Sequence, residues 1–278
     1  MSESLDSPLV RTPHSEVTAT LEVLGLKGVT SGHLARIRSD NGRASRVASA
    51  FAEELSSPPV SQDLARLVPM PAHMIADLRE RFVGSHGFKA EHFDSLAIPR
   101  PPLGNFPLVL PVAYLGSLRA TLEFYWAMCR KRFPANWLWE NLKLDKNSLR
   151  VWSPDGQESK WPAGTVRMVG LDLFAYWDKK DGTCVADNRA SENAPMPGVE
   201  VLALVALAPA LIQAIDYERM PGLDMPGLEA TPSGKSAWSY APIVCWFRDD
   251  RGVRLHARRV SIRHTLYASP AFRECLPS

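Results

Sequence analysis

Residues 99–111 read Pro-Arg-Pro-Pro-Leu-Gly-Asn-Phe-Pro-Leu-Val-Leu-Pro, and they divide the chain into two unlike parts. Pro99, Pro101, Pro102, Pro107 and Pro111 each fix φ and remove an N–H donor. The segment must therefore be extended and cannot be a central strand. Phe106, Leu108, Val109 and Leu110 argue that it lies against a surface, because a solvated linker is polar. Every tryptophan and tyrosine of the chain lies beyond it. Each buried ring removes roughly 150–250 Å² from water, worth about 4–6 kcal/mol before entropy is charged.

The expected organisation is α+β. It has a disordered tail over 1–14, a small all-helical N-terminal unit over 15–98, the proline-rich connector 99–111, and a Trp-rich α+β domain with antiparallel hairpins over 112–278. In the first part, helices are expected at 16–24, from Thr30 or Ser31 to Asn41, at 44–55, after the N-cap Ser61, and at 72–82. In the second, Leu115, Leu118, Leu122 and Tyr125 recur at helical spacing toward Arg130, Lys131 and Arg132. A short helix is expected over 136–142, and strands over 149–152, 166–177 and 183–186, the last after an Asp181-Gly182 turn. Val199–Ile215 reads as a buried helix interrupted at Pro209. Ile243–Phe247 and Val253–Val260, joined by Asp-Asp-Arg-Gly, form the clearest hairpin.

Composition is that of an ordinary globular protein, 45% hydrophobic and 22% charged, with a formal charge of +2. No bulk attraction to nucleic acid or membrane follows from that charge. The polar, acid-bearing N-terminus is unlike a secretory signal, and the longest apolar run is too short to span a bilayer. Four scattered cysteines read as reduced thiols, so the expected location is cytoplasmic.

Met-Pro-Gly recurs at Met196, Met220 and Met225. Pro-Gly suits the centre of a type II turn, and the adjacent later copies could form a loop presenting Asp224 and Glu229.

No residues are assigned to catalysis, and neither a metal nor a cofactor is expected. Gly234-Lys235-Ser236 lacks the upstream glycine of a phosphate loop. His73, His86 and His92 lack metal-ligand spacing. The sharpest local feature is the last hairpin: alternation places Val253, Leu255 and Ala257 on one face and Arg254, His256 and Arg258 on the other. With Arg248 close by, this is the candidate contact face for a protein or anionic ligand; the competing role is a solvated strand face. Thr20–Asp40 resembles a degenerate helix-turn-helix within 16–55, with Arg36, Arg38, Arg43 and Arg46 as candidate nucleic-acid contacts. Residues 1–98 nevertheless carry fewer basic than acidic side chains, which opposes DNA binding.

From about residue 160 the chain resembles an uncharacterised family of bacterial proteins of unknown function. The residues that carry this are the strand Leu171–Trp177, the helix Val199–Ile215, Pro-Gly-Leu-Glu at 226–229, Trp238, the terminal hairpin and the N-terminal pattern Leu24–Thr30. The resemblance implies bacterial origin and no activity. The leading expectation is a binding or interaction protein of unknown partner; a DNA-binding regulator and an enzyme are the alternatives.

Overall fold

The computed structural model describes residues 62–278 except 134, 139–141, 143, 145–146, 155–163, 232–236, 250 and 277–278, together with 32, 35 and 39. The expected tail, the three helices before residue 56, Arg36, Arg38, Arg43, Arg46 and the Gly234–Ser236 turn lie outside the described residues. The chain divides between Ser57 and Pro58, and the elements that follow belong to the second unit.

The second half of the proline segment is a strand, β1 (Pro107–Tyr114), antiparallel to β4 (Thr165–Tyr176) with Pro107 opposite Asp172 and Tyr114 opposite Thr165. It stands at the end of the sheet path. The Ala113 N–H turns away from β4 to donate to Tyr125 Oη at 2.8 Å, and Leu115 N–H donates to Thr121 Oγ1 at 3.0 Å. Alternation puts the backbone nitrogens of 107 and 111 on that same outer side, where a ladder does not need them. Proline is thus tolerated because its missing donor faces away from the partner strand.

Tyr125 and Thr121 belong to α4 (Leu118–Arg132), which follows the helices α1 (Gln62–Ala65), α2 (Pro71–Phe82) and α3 (Glu91–Asp94). Ser117 caps α4 by accepting from Ala120 N–H. Its buried residues, Thr121, Leu122, Tyr125, Trp126, Met128 and Cys129, follow the helical period. Phe82 of α2 stacks with Phe88 and Phe93 of the α3 region and with Phe124 of α4. One continuous hydrophobic cluster runs from Leu64 to Ala268.

The other strands are β2 (Ala135–Leu138), β3 (Leu149–Val151), β5 (Gly222–Asp224), β6 (Leu228–Ala230), β7 (Tyr240–Phe247), β8 (Gly252–Arg259) and β9 (Tyr267–Phe272). They build one curled mixed sheet of order β1-β4-β9-β5-β7, continued through β6 to β3, with β8 and then β2 beyond β7. Between the strands come α5 (Val185–Glu192), α6 (Val199–Leu207) and α7 (Pro209–Gln213). All nine residues of α6 are buried, and it packs against α4 and β1. Pro209 restarts the helix at its first position after the non-helical Ala208, the interruption expected from a residue without an N–H.

Three expectations are corrected. Residues 135–138 are not helical but a strand parallel to β8, with Trp137 opposite Arg254. Phe133, which precedes a proline in the sequence, has extended backbone (φ −118°, ψ 101°) and ends α4, and the edge of β8 recruits residues 135–138. Thr183 makes only an isolated bridge to His264, and Val185–Glu192 is a helix closed by Asn193 in the left-handed region. The Met-Pro-Gly glycines are not type II turn glycines, since none of Gly198, Gly222 and Gly227 has positive φ. They are sites of close approach instead. A Cβ on Gly227 would lie 1.9 Å from Met196 O, and one on Gly198 would lie 2.9 Å from Leu228 Cγ. The first and third copies therefore clasp each other, held by Gly227 N–H donating to Pro197 O at 2.8 Å. Asp224 is wholly buried and is not displayed on a surface loop.

Candidate functional site

The clasp forms one wall of a cavity of about 440 Å³. That is within the roughly 300–1,000 Å³ of small-molecule sites. The end of β1 contributes Tyr114, the start of α4 contributes Ser117, Leu118 and Thr121, and the start of α6 contributes Val199 and Glu200. Val151 at the end of β3, Trp152 after it, Leu228 of β6 and Phe272 of β9 add to the largely apolar lining.

Glu200 is the polar centre. Its Oε1 accepts from the Tyr114 hydroxyl at 2.6 Å, and its Oε2 accepts from Gly198 N–H at 2.8 Å. Only 7% of the residue is exposed. The position is favourable because Glu200 lies in the first turn of α6, at the positive end of the helix dipole. Burial drives the Tyr114 phenol far above its ordinary pKa, and the adjacent Glu200 carboxylate pushes it further; Arg167 opposes with a smaller effect. Tyr114 thus remains a protonated donor to the carboxylate.

Arg189 holds the wall from behind. Its Nε donates to Pro226 O at 2.9 Å, its Nη2 donates to Leu228 O at 2.7 Å, and its guanidinium lies 4.8 Å from the Trp152 ring centroid. Burial lowers its pKa to about 10, against the opposing pull of Glu229, so it stays charged at neutral pH. Trp152 N–H donates to Gly227 O at 2.9 Å, tying the ring's backbone to the clasp.

The hairpin residues fall as alternation placed them, Arg254, His256 and Arg258 opposite Cys245, Ile243 and Ala241. Each is engaged within the fold. Arg258 forks onto Asp224 with Nε and Nη2 at 2.8 and 2.7 Å, and donates through Nη1 to Ile262 O. Ser269 Oγ donates to the same carboxylate at 2.8 Å. The Arg254 guanidinium stacks 3.6 Å from the Phe247 ring centroid and 5.7 Å from that of Trp137. His256 Nε2 lies 3.4 Å from Cys245 Sγ. Burial, then Arg254, brings the imidazole down to about 4, and burial raises the thiol to about 12, so this pair is neutral and not an activated thiolate. Arg248 stays exposed, 3.9 Å from Asp216. Among the described residues, no group of three or more His, Cys, Asp or Glu side chains is arranged to hold a metal. No described helix is long and apolar enough to cross a membrane.

Glu200 is not among the contact residues expected from the sequence. The signal that could have found it is its context: one carboxylate inside the otherwise apolar run Val199–Leu207. A helix that apolar must be buried, and its one charge goes in with it. Tyr114 carried no such signal, because its meeting with Glu200 spans 86 positions. Comparisons with protein-family models, with curated proteins and with solved structures found no match.

Proposed function

We propose that this is a binding protein for a small, largely apolar molecule held in the cavity between the starts of α4 and α6. The observation that carries the reading is the convergence of Tyr114 and Glu200 on an apolar cavity of about 440 Å³. An apolar pocket with a few fixed polar groups is the usual form of a ligand site: burial supplies affinity and the polar groups set orientation. The hairpin is the weaker candidate, since Arg258 and Arg254 are already committed to Asp224 and Phe247. The closed clasp of Met196–Gly198 on Met225–Gly227 supports a preformed wall, which lowers the ordering cost of binding.

The test is a thermal-shift fragment screen on the wild-type chain and on Leu118→Trp, which places an indole at the half-buried cavity lining. Fragments that stabilise wild type are expected to lose their effect in Leu118→Trp, while the variant's own Tm stays within a few degrees. Hits that stabilise both proteins equally, or no hits at all, would overturn the assignment.

A further inference from the structure

Building on the cavity reading, we infer that the ligand carries a positively charged amine, with Glu200 as its counter-charge. A carboxylate has about four acceptor positions. Glu200 uses one oxygen for the Tyr114 hydroxyl and the other for Gly198 N–H, both neutral donors. Among the described residues no lysine, arginine or histidine is ion-paired with it. Two carboxylates are buried more deeply: Asp224 is paired with Arg258, and Asp172 accepts from three backbone N–H groups, those of Asn105, Phe106 and Phe174. Neither of these lines the cavity, whereas Glu200 borders its empty volume.

Burying an ionised carboxylate is costly unless it is paired, and two neutral hydrogen bonds with a helix N-terminus offset only part of that cost. A ligand ammonium entering the cavity would meet an acceptor held in place from both sides, so little rearrangement is needed. The apolar lining at Leu118, Val199 and Leu228 takes a hydrocarbon body. Anionic ligands are disfavoured by the same carboxylate. Arg189 does not reverse this, because its guanidinium donates to the backbone of the wall and lies 3.6 Å from Glu229.

Glu200 also accepts from the amide at the start of its own helix, and a purely structural role would lower stability on substitution without changing ligand preference. The deciding experiment is therefore a comparison of ligands on the unaltered protein. Primary amines from butylamine to 2-phenylethylamine are titrated beside the alcohols of the same shape, following Trp fluorescence and calorimetric heat. At least one amine should bind tenfold or more tightly than its alcohol, and Glu200→Gln should reduce that preference to less than threefold. Equal binding of amines and alcohols to wild type, abolished by Leu118→Trp, would overturn the counter-charge and leave the cavity reading intact. Binding of neither class would overturn both. If Glu200→Gln does not fold, the wild-type amine-to-alcohol ratio decides alone.

Discussion

Replacing Arg258 with Met tests whether the arginine face of the terminal hairpin is structure or contact surface. The substitution keeps an apolar stem of similar length and removes three donated hydrogen bonds, two to Asp224 and one to Ile262 O. What remains is a wholly buried Asp224 carboxylate with the Ser269 hydroxyl as its side-chain partner. Breaking a buried pair in this way costs about 3–5 kcal/mol, most of it the penalty of an uncompensated buried charge. At about 2–4 °C per kcal/mol for a unit of this size, Tm should fall by roughly 6–20 °C. The double variant Arg258→Met with Asp224→Leu should recover most of that loss, since an apolar pair satisfies the same space without a charge. Arg254→Met, which removes a stacked cation from Phe247, should cost about 0.5–2 kcal/mol. Thermal and urea denaturation of wild type, these three variants and the single variant Asp224→Leu, read by Trp fluorescence and by circular dichroism, measures all of these. A loss under about 1 kcal/mol for Arg258→Met, or additive losses in the double variant, would refute the reasoning and return Arg258 to the solvent-facing role alternation alone suggests.

Two further outcomes follow from the titrating groups. His256 is held neutral, its pKa near 4 against about 6.5 when unfolded, so the unfolded chain takes up the proton first. Stability contributed by the neutral ring is complete above about pH 6.5 and declines as pH falls toward 4, by at most about 3 kcal/mol; His256→Phe should flatten that part of the stability profile relative to wild type, and parallel profiles would contradict the assignment. The four cysteines are free thiols, with Cys129, Cys184 and Cys245 buried and Cys275 partly exposed. Iodoacetamide under native conditions should modify Cys275 first and the other three only on unfolding; rapid native alkylation of Cys245 would show its pairing with His256 to be reactive after all.

Much of the fold was legible in short range. The amphipathic period of α4, the break at Pro209, the alternation across β8 and the edge position demanded by Pro107 and Pro111 are all written within a few residues of one another. Each is decided by local sterics or by the side-chain period. The strand at 135–138 was not legible, because those four residues have no strong preference and the neighbouring β8 edge decides for them. The Met-Pro-Gly repeat is visible in the sequence, but its backbone conformation is not. Pro-Gly permits either a positive φ or a close backbone approach, and only the partner across the contact distinguishes them.

The chain's order of residues determined by itself that Val199–Leu207 would be buried and that Glu200 would be carried inside with it. It likewise determined that Arg254, His256 and Arg258 would share one face. It could not determine what those groups would meet. Tyr114 reaches Glu200 across 86 positions, Asp224 reaches Arg258 across 34, and the two Pro-Gly segments close on each other only when α6 and β6 are in place. Periodicity selects a face, because it arises from bonded geometry repeated along the backbone. A partner is selected by which faces the packed core brings together, so a carboxylate locked by arginine and one bordering a cavity are told apart only in the tertiary structure.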